Sequence, residues 1–152
     1  ILKYLRGFPK QITVLKENQA YQVGSISFQT SVRHHHGAET YGLIFHTPEL
    51  TFSYIPDTVY FPELPSSYIG EALIINVVRF QKTGPILHLS TEDVKELIRE
   101  IKPRAVILTH FGMTMWRAHP WEVAQQLSQE TGIKVIAARD GQNVDLTELT
   151  KP

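Results

Sequence analysis

Short alternating segments dominate the first third of the chain, and continuous apolar runs and amphipathic stripes dominate the rest. Ile12–Leu15 and Ala20–Val23 read as short strands around the polar turn Lys16-Glu17-Asn18. Ser25–Val32 places Ile26, Phe28 and Val32 on one face and Ser27, Gln29 and Ser31 on the other, the pattern of a half-buried strand. Tyr41–His46 and Leu50–Ile55 read as a hairpin closed by Thr47-Pro48-Glu49. Ala72–Val78 is apolar at nearly every position, which suits a strand buried on both faces. Ser90–Ile101 carries Val94, Leu97, Ile98 and Ile101 on one helical stripe. Ser90 is placed to cap it, with Asp93 three residues on and Pro103 as the stop. Ala105–Thr109 is a buried strand. Pro120–Thr131 is a second amphipathic helix, with Gly132 placed to end it. Lys134–Ala138 is a strand, Asp140-Gly141 a turn, and Val144–Leu146 a last short strand.

This order predicts a mixed α/β sheet with helices on one face, in one unit spanning residues 1–152. The composition suits a folded domain: 42% of residues are apolar. Fifteen Lys and Arg against fifteen Asp and Glu leave no net charge, so no polybasic surface for nucleic acid or anionic lipid is expected. No apolar run approaches the ~20 residues of a membrane helix, and a soluble cytoplasmic protein is the expectation. Cysteine is absent, which excludes disulfides, thiolate metal sites and cysteine nucleophiles. A metal would have to be held by histidine and carboxylate.

Seven histidines is a high count for this length. Metal-binding side chains fall just past three expected strand ends: the run His34-His35-His36, Asp57 after Leu50–Ile55, and His110 after Ala105–Thr109. If the histidine run is extended, His34 points the same way as His36 and His35 the opposite way. Thr58 is placed to hydrogen-bond Asp57. Trp116 and Trp121 could line a pocket beside His110, with core packing as the plainer reading. His46 and His119 have no evident role.

Three stretches form a pattern: His36-Gly-Ala-Glu-Thr-Tyr-Gly42-Leu-Ile-Phe, Tyr54-Ile-Pro-Asp57-Thr58, and Ile107-Leu-Thr-His110-Phe-Gly112. They resemble the third, fourth and fifth motifs of the metallo-β-lactamase fold hydrolases, over about Val23 to Leu146. The resemblance implies an αββα sandwich and a dinuclear centre of two divalent metal ions, zinc first and Mn or Fe as alternatives. His36 would ligate one metal and His110 the other. The Asp57 carboxylate would bridge both, and a hydroxide held between them would attack the substrate. His36 is preferred for its offset from Gly42, with His34 as runner-up. His88 resembles a histidine that protonates the leaving group in tRNase Z-like members; Leu89 departs from that pattern, and a loop-fixing role is the plainer reading.

The family's His-x-His-x-Asp-His cluster does not occur in the sequence. The expectation is therefore that the chain is the C-terminal half of such a domain. The other ligands would lie in a missing N-terminal half or a partner chain, packed on an otherwise uncovered sheet face; a homo-oligomer is a further form. The function expected is the C-terminal part of a metal-dependent hydrolase, with phosphodiesters slightly favoured by likeness to the tRNase Z and phosphodiesterase branches. The alternative is a non-catalytic half-fold that acts as a binding or assembly module. A flavodoxin-like reading is weaker, because no Gly-rich loop follows a first strand.

Overall fold

The structure is a computed structural model, described over residues 7–9 and 11–151; the remaining residues of the expected 1–152 unit lie outside the described residues. Among the described residues seven strands form a single sheet in chain order: β1 (Ala20–Val23), β2 (Ile26–Arg33), β3 (Tyr41–His46), β4 (Thr51–Ile55), β5 (Ala72–Asn76), β6 (Ala105–Thr109) and β7 (Lys134–Ala137). β1 to β4 pair antiparallel, and β4 to β7 pair parallel. The parallel half needs crossovers. Helix α1 (Thr91–Ile101) supplies the one between β5 and β6; α2 (Met113–Arg117) and α3 (Pro120–Thr131) supply that between β6 and β7.

Alternate positions of β6 divide the core. Val106 and Leu108 face a large cluster with Val94, Leu97 and Ile98 of α1 and Val123, Ala124 and Leu127 of α3. Ala105 and Ile107 face the opposite side. There they meet Leu149 of a one-turn helix, α4 (Leu146–Leu149), with Ile74 and Ile136. The helical face is sealed: Ile55, Leu73, Ile75, Val106 and Leu108 are fully buried. The second face is half covered. Leu43, Phe45, Phe52, Tyr54, Ile74 and Ile136 on it are only partly buried. Phe28, Phe45 and Phe52 run across it as a ladder of rings, with centroids 5.7 and 4.7 Å apart.

Ser90 caps α1 as expected. Its hydroxyl accepts from the Asp93 amide, and the Asp93 carboxylate accepts from the Ser90 amide, a complete capping box. Two expectations fail, and one element is new. Residues 12–15 form no strand; Ile12 and Val14 are exposed, and an alternating run without a ladder partner does not become a strand. Val144–Leu146 is not a strand either. The Asp145 carboxylate accepts from the Thr147 and Glu148 amides and starts α4 instead. Helix α2 was not anticipated, since a five-residue helix gives no periodic stripe. Among the described residues no helix is long and apolar enough to cross a membrane.

Candidate metal centre

β4, β5 and β6 are mutually parallel. β2 also runs parallel to them, because it is antiparallel to β3, which is antiparallel to β4. The C-terminal ends of all four strands therefore lie on one edge of the sheet, where open α/β sheets usually hold their ligands. That edge receives the His34–His36 run after β2, Asp57 after β4, Asn76 at the end of β5 and His110 after β6.

Asp57 is the hub. Its Oδ1 lies 3.4 Å from His88 Nδ1 and 3.6 Å from His110 Nε2, and it accepts a 2.9 Å hydrogen bond from Asn76 Nδ2. His36 completes the group: ligand atoms of His36, Asp57 and His88 lie within 4.8 Å of one another. The His36 and His88 rings are 5.2 Å apart, and those of His88 and His110 6.3 Å. Four side chains singled out in the sequence thus converge on one point. Asn76 was not singled out, although a polar residue closing an apolar strand was the available signal. Tyr54 Oη donates to Asn76 Oδ1 at 3.2 Å, which leaves the Asn76 amide facing Asp57.

The donor set suits a divalent transition cation. Imidazole and carboxylate are ligands that Zn²⁺, Mn²⁺ and Fe accept. Around a tetrahedral ion with bonds of about 2.0–2.1 Å, neighbouring ligand atoms sit roughly 3.3 Å apart. The 3.4 and 3.6 Å separations at Asp57 Oδ1 are close to that. His88 Nδ1 is buried and makes no hydrogen bond; Asp57 Oδ1 is near enough but not aligned. Such an orphaned nitrogen fits a group that binds something else. Burial holds the His88 pKa below its ordinary value, and His36 and His110 lower it further against the pull of Asp57. His88 is thereby biased toward the neutral form that can ligate. His110 sits at φ +60°, a left-handed conformation that costs a non-glycine residue energy and often marks a functional position.

The other two members of the histidine run part from His36. β2 runs through Arg33, and the chain bends within the run, where the His36 amide donates to the His34 carbonyl at 3.1 Å. His34 is buried, at 2% exposure, and is not available as a ligand. Its Nδ1 faces the Asp57 carbonyl at 3.3 Å and its Nε2 the Tyr68 hydroxyl at 2.5 Å. A carbonyl can only accept, so Nδ1 carries the proton; Nε2 faces the Tyr68 hydroxyl, which also bonds Ser31 Oγ at 3.1 Å. His35 stacks on Phe61 with centroids 4.1 Å apart. Thr58 does not bond the Asp57 carboxylate. Its hydroxyl donates to the Val59 carbonyl and accepts from the His35 amide, tying the two ligand-bearing loops together.

Trp116 and Trp121 are not core residues. They are 50% and 36% exposed and meet edge to face at 5.6 Å. With His110, Phe111, Arg139 and Asp140 they line a cleft of about 680 Å³ that opens beside the cluster. The Arg139 guanidinium lies 4.6 Å from the centre of the Trp121 ring. Asp140-Gly141 is the expected turn, and the exposed His46 meets only Thr51 Oγ1, at 3.2 Å. His119 heads α3 with a left-handed backbone and caps nothing.

Fold and site together define an α/β protein of the metallo-β-lactamase fold with a His/Asp cluster suited to metal. The chain belongs to the beta-lactamase superfamily domain family, whose sequence profile matches residues 3–111. It is 29% identical over 151 residues to uncharacterized protein MJ1374 of Methanocaldococcus jannaschii, covering 96% of this chain and 55% of that one. The chain thus spans about half the length of the curated relative it matches. Among solved structures it resembles the metallo-beta-lactamase fold protein YhfI from Bacillus subtilis, with a TM-score of 0.75, 15% identity and coverage of 93% of this chain and 60% of that one. It also resembles the isothiocyanate hydrolase from Delia radicum gut bacteria, with a TM-score of 0.67, 22% identity and coverage of 95% and 62%. A third likeness is to a diphosphatase of the PhnP family, with a TM-score of 0.63, 15% identity and coverage of 86% and 47%.

Proposed function

We propose that this chain carries part of the catalytic centre of a metal-dependent hydrolase acting on phosphodiesters. The observation that carries the reading is the convergence of His36, His88 and His110 on the Asp57 carboxylate. His36 and His110 would each hold one of two divalent cations, zinc or else Mn or Fe, with Asp57 bridging them. Such cations, when bound, acidify water toward neutral pH and offset the negative charge that builds on the substrate's oxygen. Asn76 holds the Asp57 carboxylate in place, and His88, when protonated against the bias of its surroundings, would supply the proton that the leaving group needs. The Trp116–Trp121 cleft would seat the part of the substrate that does not react.

These residues give each cation too few ligands. We propose that the others come from a further part of the protein, packed on the half-covered sheet face. The diphosphatase and the isothiocyanate hydrolase share the fold but act on different bonds, so the fold does not choose the substrate. Likeness of the His36–Gly42 stretch to phosphodiesterase branches favours a phosphodiester. The half-covered face also favours the alternative, a non-catalytic assembly module.

The test is metal analysis and bis(p-nitrophenyl) phosphate hydrolysis by the complete protein. We expect about two equivalents of metal, and Asp57→Asn or His110→Ala to lose at least one of them. With Asp57→Asn, hydrolysis falls by about 10³-fold or more. Metal below one equivalent and unchanged in His110→Ala would leave the assembly module standing. The orphaned Nδ1 also makes His88 a candidate ligand: His88→Ala that keeps its metal but loses turnover identifies the proton donor, and loss of metal identifies a ligand.

A further inference from the structure

Between β5 and α1 the chain makes a long loop whose two ends are joined at Arg79. The Arg79 amide donates to the Leu89 carbonyl at 3.3 Å, and Arg79 and Ser90 form an isolated parallel bridge. The Arg79 side chain turns into the same neck and is 4% exposed. Its Nε and Nη2 both donate to the His88 carbonyl, at 2.9 and 2.5 Å. Its charge is balanced by Asp93, whose Oδ2 lies 3.9 Å from Nη2. A buried guanidinium is costly to desolvate, and the helix cap does not require it. The Ser90–Asp93 capping box is closed without Arg79: the Ser90 amide and hydroxyl both reach Asp93 Oδ2 at 2.9 Å.

Besides Asp93 the guanidinium holds two carbonyls of the loop: Nη1 donates to Thr83 at 3.5 Å, and Nε and Nη2 fork onto the peptide that follows His88. That matters because the His88 ring has no hydrogen bond at Nδ1 to orient it toward the cluster. The position of the ring then depends on its backbone, which is held at the amide by the Ile86 carbonyl, 2.9 Å away, and at the carbonyl by Arg79. We infer that Arg79 is a positioning residue for His88: the planar fork fixes the His88 carbonyl and so holds the imidazole against Asp57. A lysine keeps the charge opposite Asp93 but cannot present two donors at fixed angles. The role rests on the reading that His88 belongs to the catalytic cluster.

The experiment uses the complete protein, with Arg79→Lys as the main variant because it preserves the buried charge, and Arg79→Gln beside it. Two readouts are taken. The first is the ring ¹⁵N NMR of histidine in metal-free protein. Arg79→Lys should move or broaden the His88 signals and leave in place those of His46, which lies at the end of β3 and bonds Thr51. The second is a double-mutant cycle with His88→Ala on bis(p-nitrophenyl) phosphate in metal-loaded protein. Arg79→Lys alone should lower kcat about 10- to 100-fold with KM little changed. In the His88→Ala background it should lower kcat no further. Unmoved His88 signals in a folded Arg79→Lys protein would overturn the assignment, as would losses that multiply in the double variant. If His88→Ala itself changes neither kcat nor metal content, the placement of His88 in the catalytic cluster fails. The NMR arm still decides whether Arg79 positions the ring. If Arg79→Gln does not fold, Arg79→Lys carries both readouts.

Discussion

His34 shows how a histidine beside a metal-type cluster can serve the fold instead. Burial lowers its pKa from 6.5 to about 4, so it is neutral at physiological pH. In the unfolded chain the ring returns to its ordinary value. Between pH 6.5 and 4 the unfolded state therefore binds more protons than the folded state, and stability falls as the pH drops through that window. Above pH 6.5 the contribution is complete. Thermal melts of the wild type should show this loss, and His34→Gln should flatten it, at a cost of about 1–3 kcal/mol from the disturbed bonds to the Asp57 carbonyl and the Tyr68 hydroxyl, the latter keeping Ser31 Oγ as a partner. Gly42 belongs to the same knot. A Cβ at that position would fall 1.7 Å from Tyr68 Oη, so a side chain there would push the tyrosine off His34.

At the scale of elements, the capping box of α1 joins the helix to the site, because Asp93 also faces Arg79. Ser90→Ala removes the hydroxyl that caps α1 and should cost about 1 kcal/mol. In a chain of this size that is a fall of roughly 2–4 °C in Tm, readable by circular dichroism. Elements with strong local signals were legible in the sequence. The apolar stripe of α1, the continuous runs of β5 and β6, and the proline and glycine that bound α3 all lie where patterning put them. Residues 12–15 and Val144–Leu146 were misread because two or three alternating residues state a preference but not a partner. His36, Asp57 and His110, which the structure brings together, stand out in the sequence because they fall just past strand ends, and His88 stands out only by its resemblance to a family histidine. Asn76 and Arg79 were not, since their importance lies in which carboxylate or carbonyl they meet across the fold. Trp116 and Trp121 were misassigned because an aromatic at helical spacing looks the same whether it faces a core or a cleft.

At the scale of the molecule, the two sheet faces differ in kind. One is packed against α1 and α3, while among the described residues the other shows a ladder of aromatic rings with α4 over part of it. Soluble proteins seldom leave so much apolar surface in water. If a further layer covers it, Phe52→Lys should destabilise the complete protein by about 3–5 kcal/mol in urea unfolding, as for a truncated core aromatic. An effect below about 1 kcal/mol would mean that the face stays open to solvent.

The order of the strands has a consequence for how the molecule is made. Each strand in the sheet lies next to the one before it in the chain, from β1 to β7. A nascent polypeptide emerging from the ribosome can therefore zip the sheet from one side to the other, never waiting for a distant segment before adding the next strand. The cluster follows the same schedule. His36 and Asp57 are in place early, and the pocket closes only when the turn after β6 brings in His110. Until then the site has His36, Asp57 and His88 but lacks the imidazole that lies 3.6 Å from the Asp57 carboxylate.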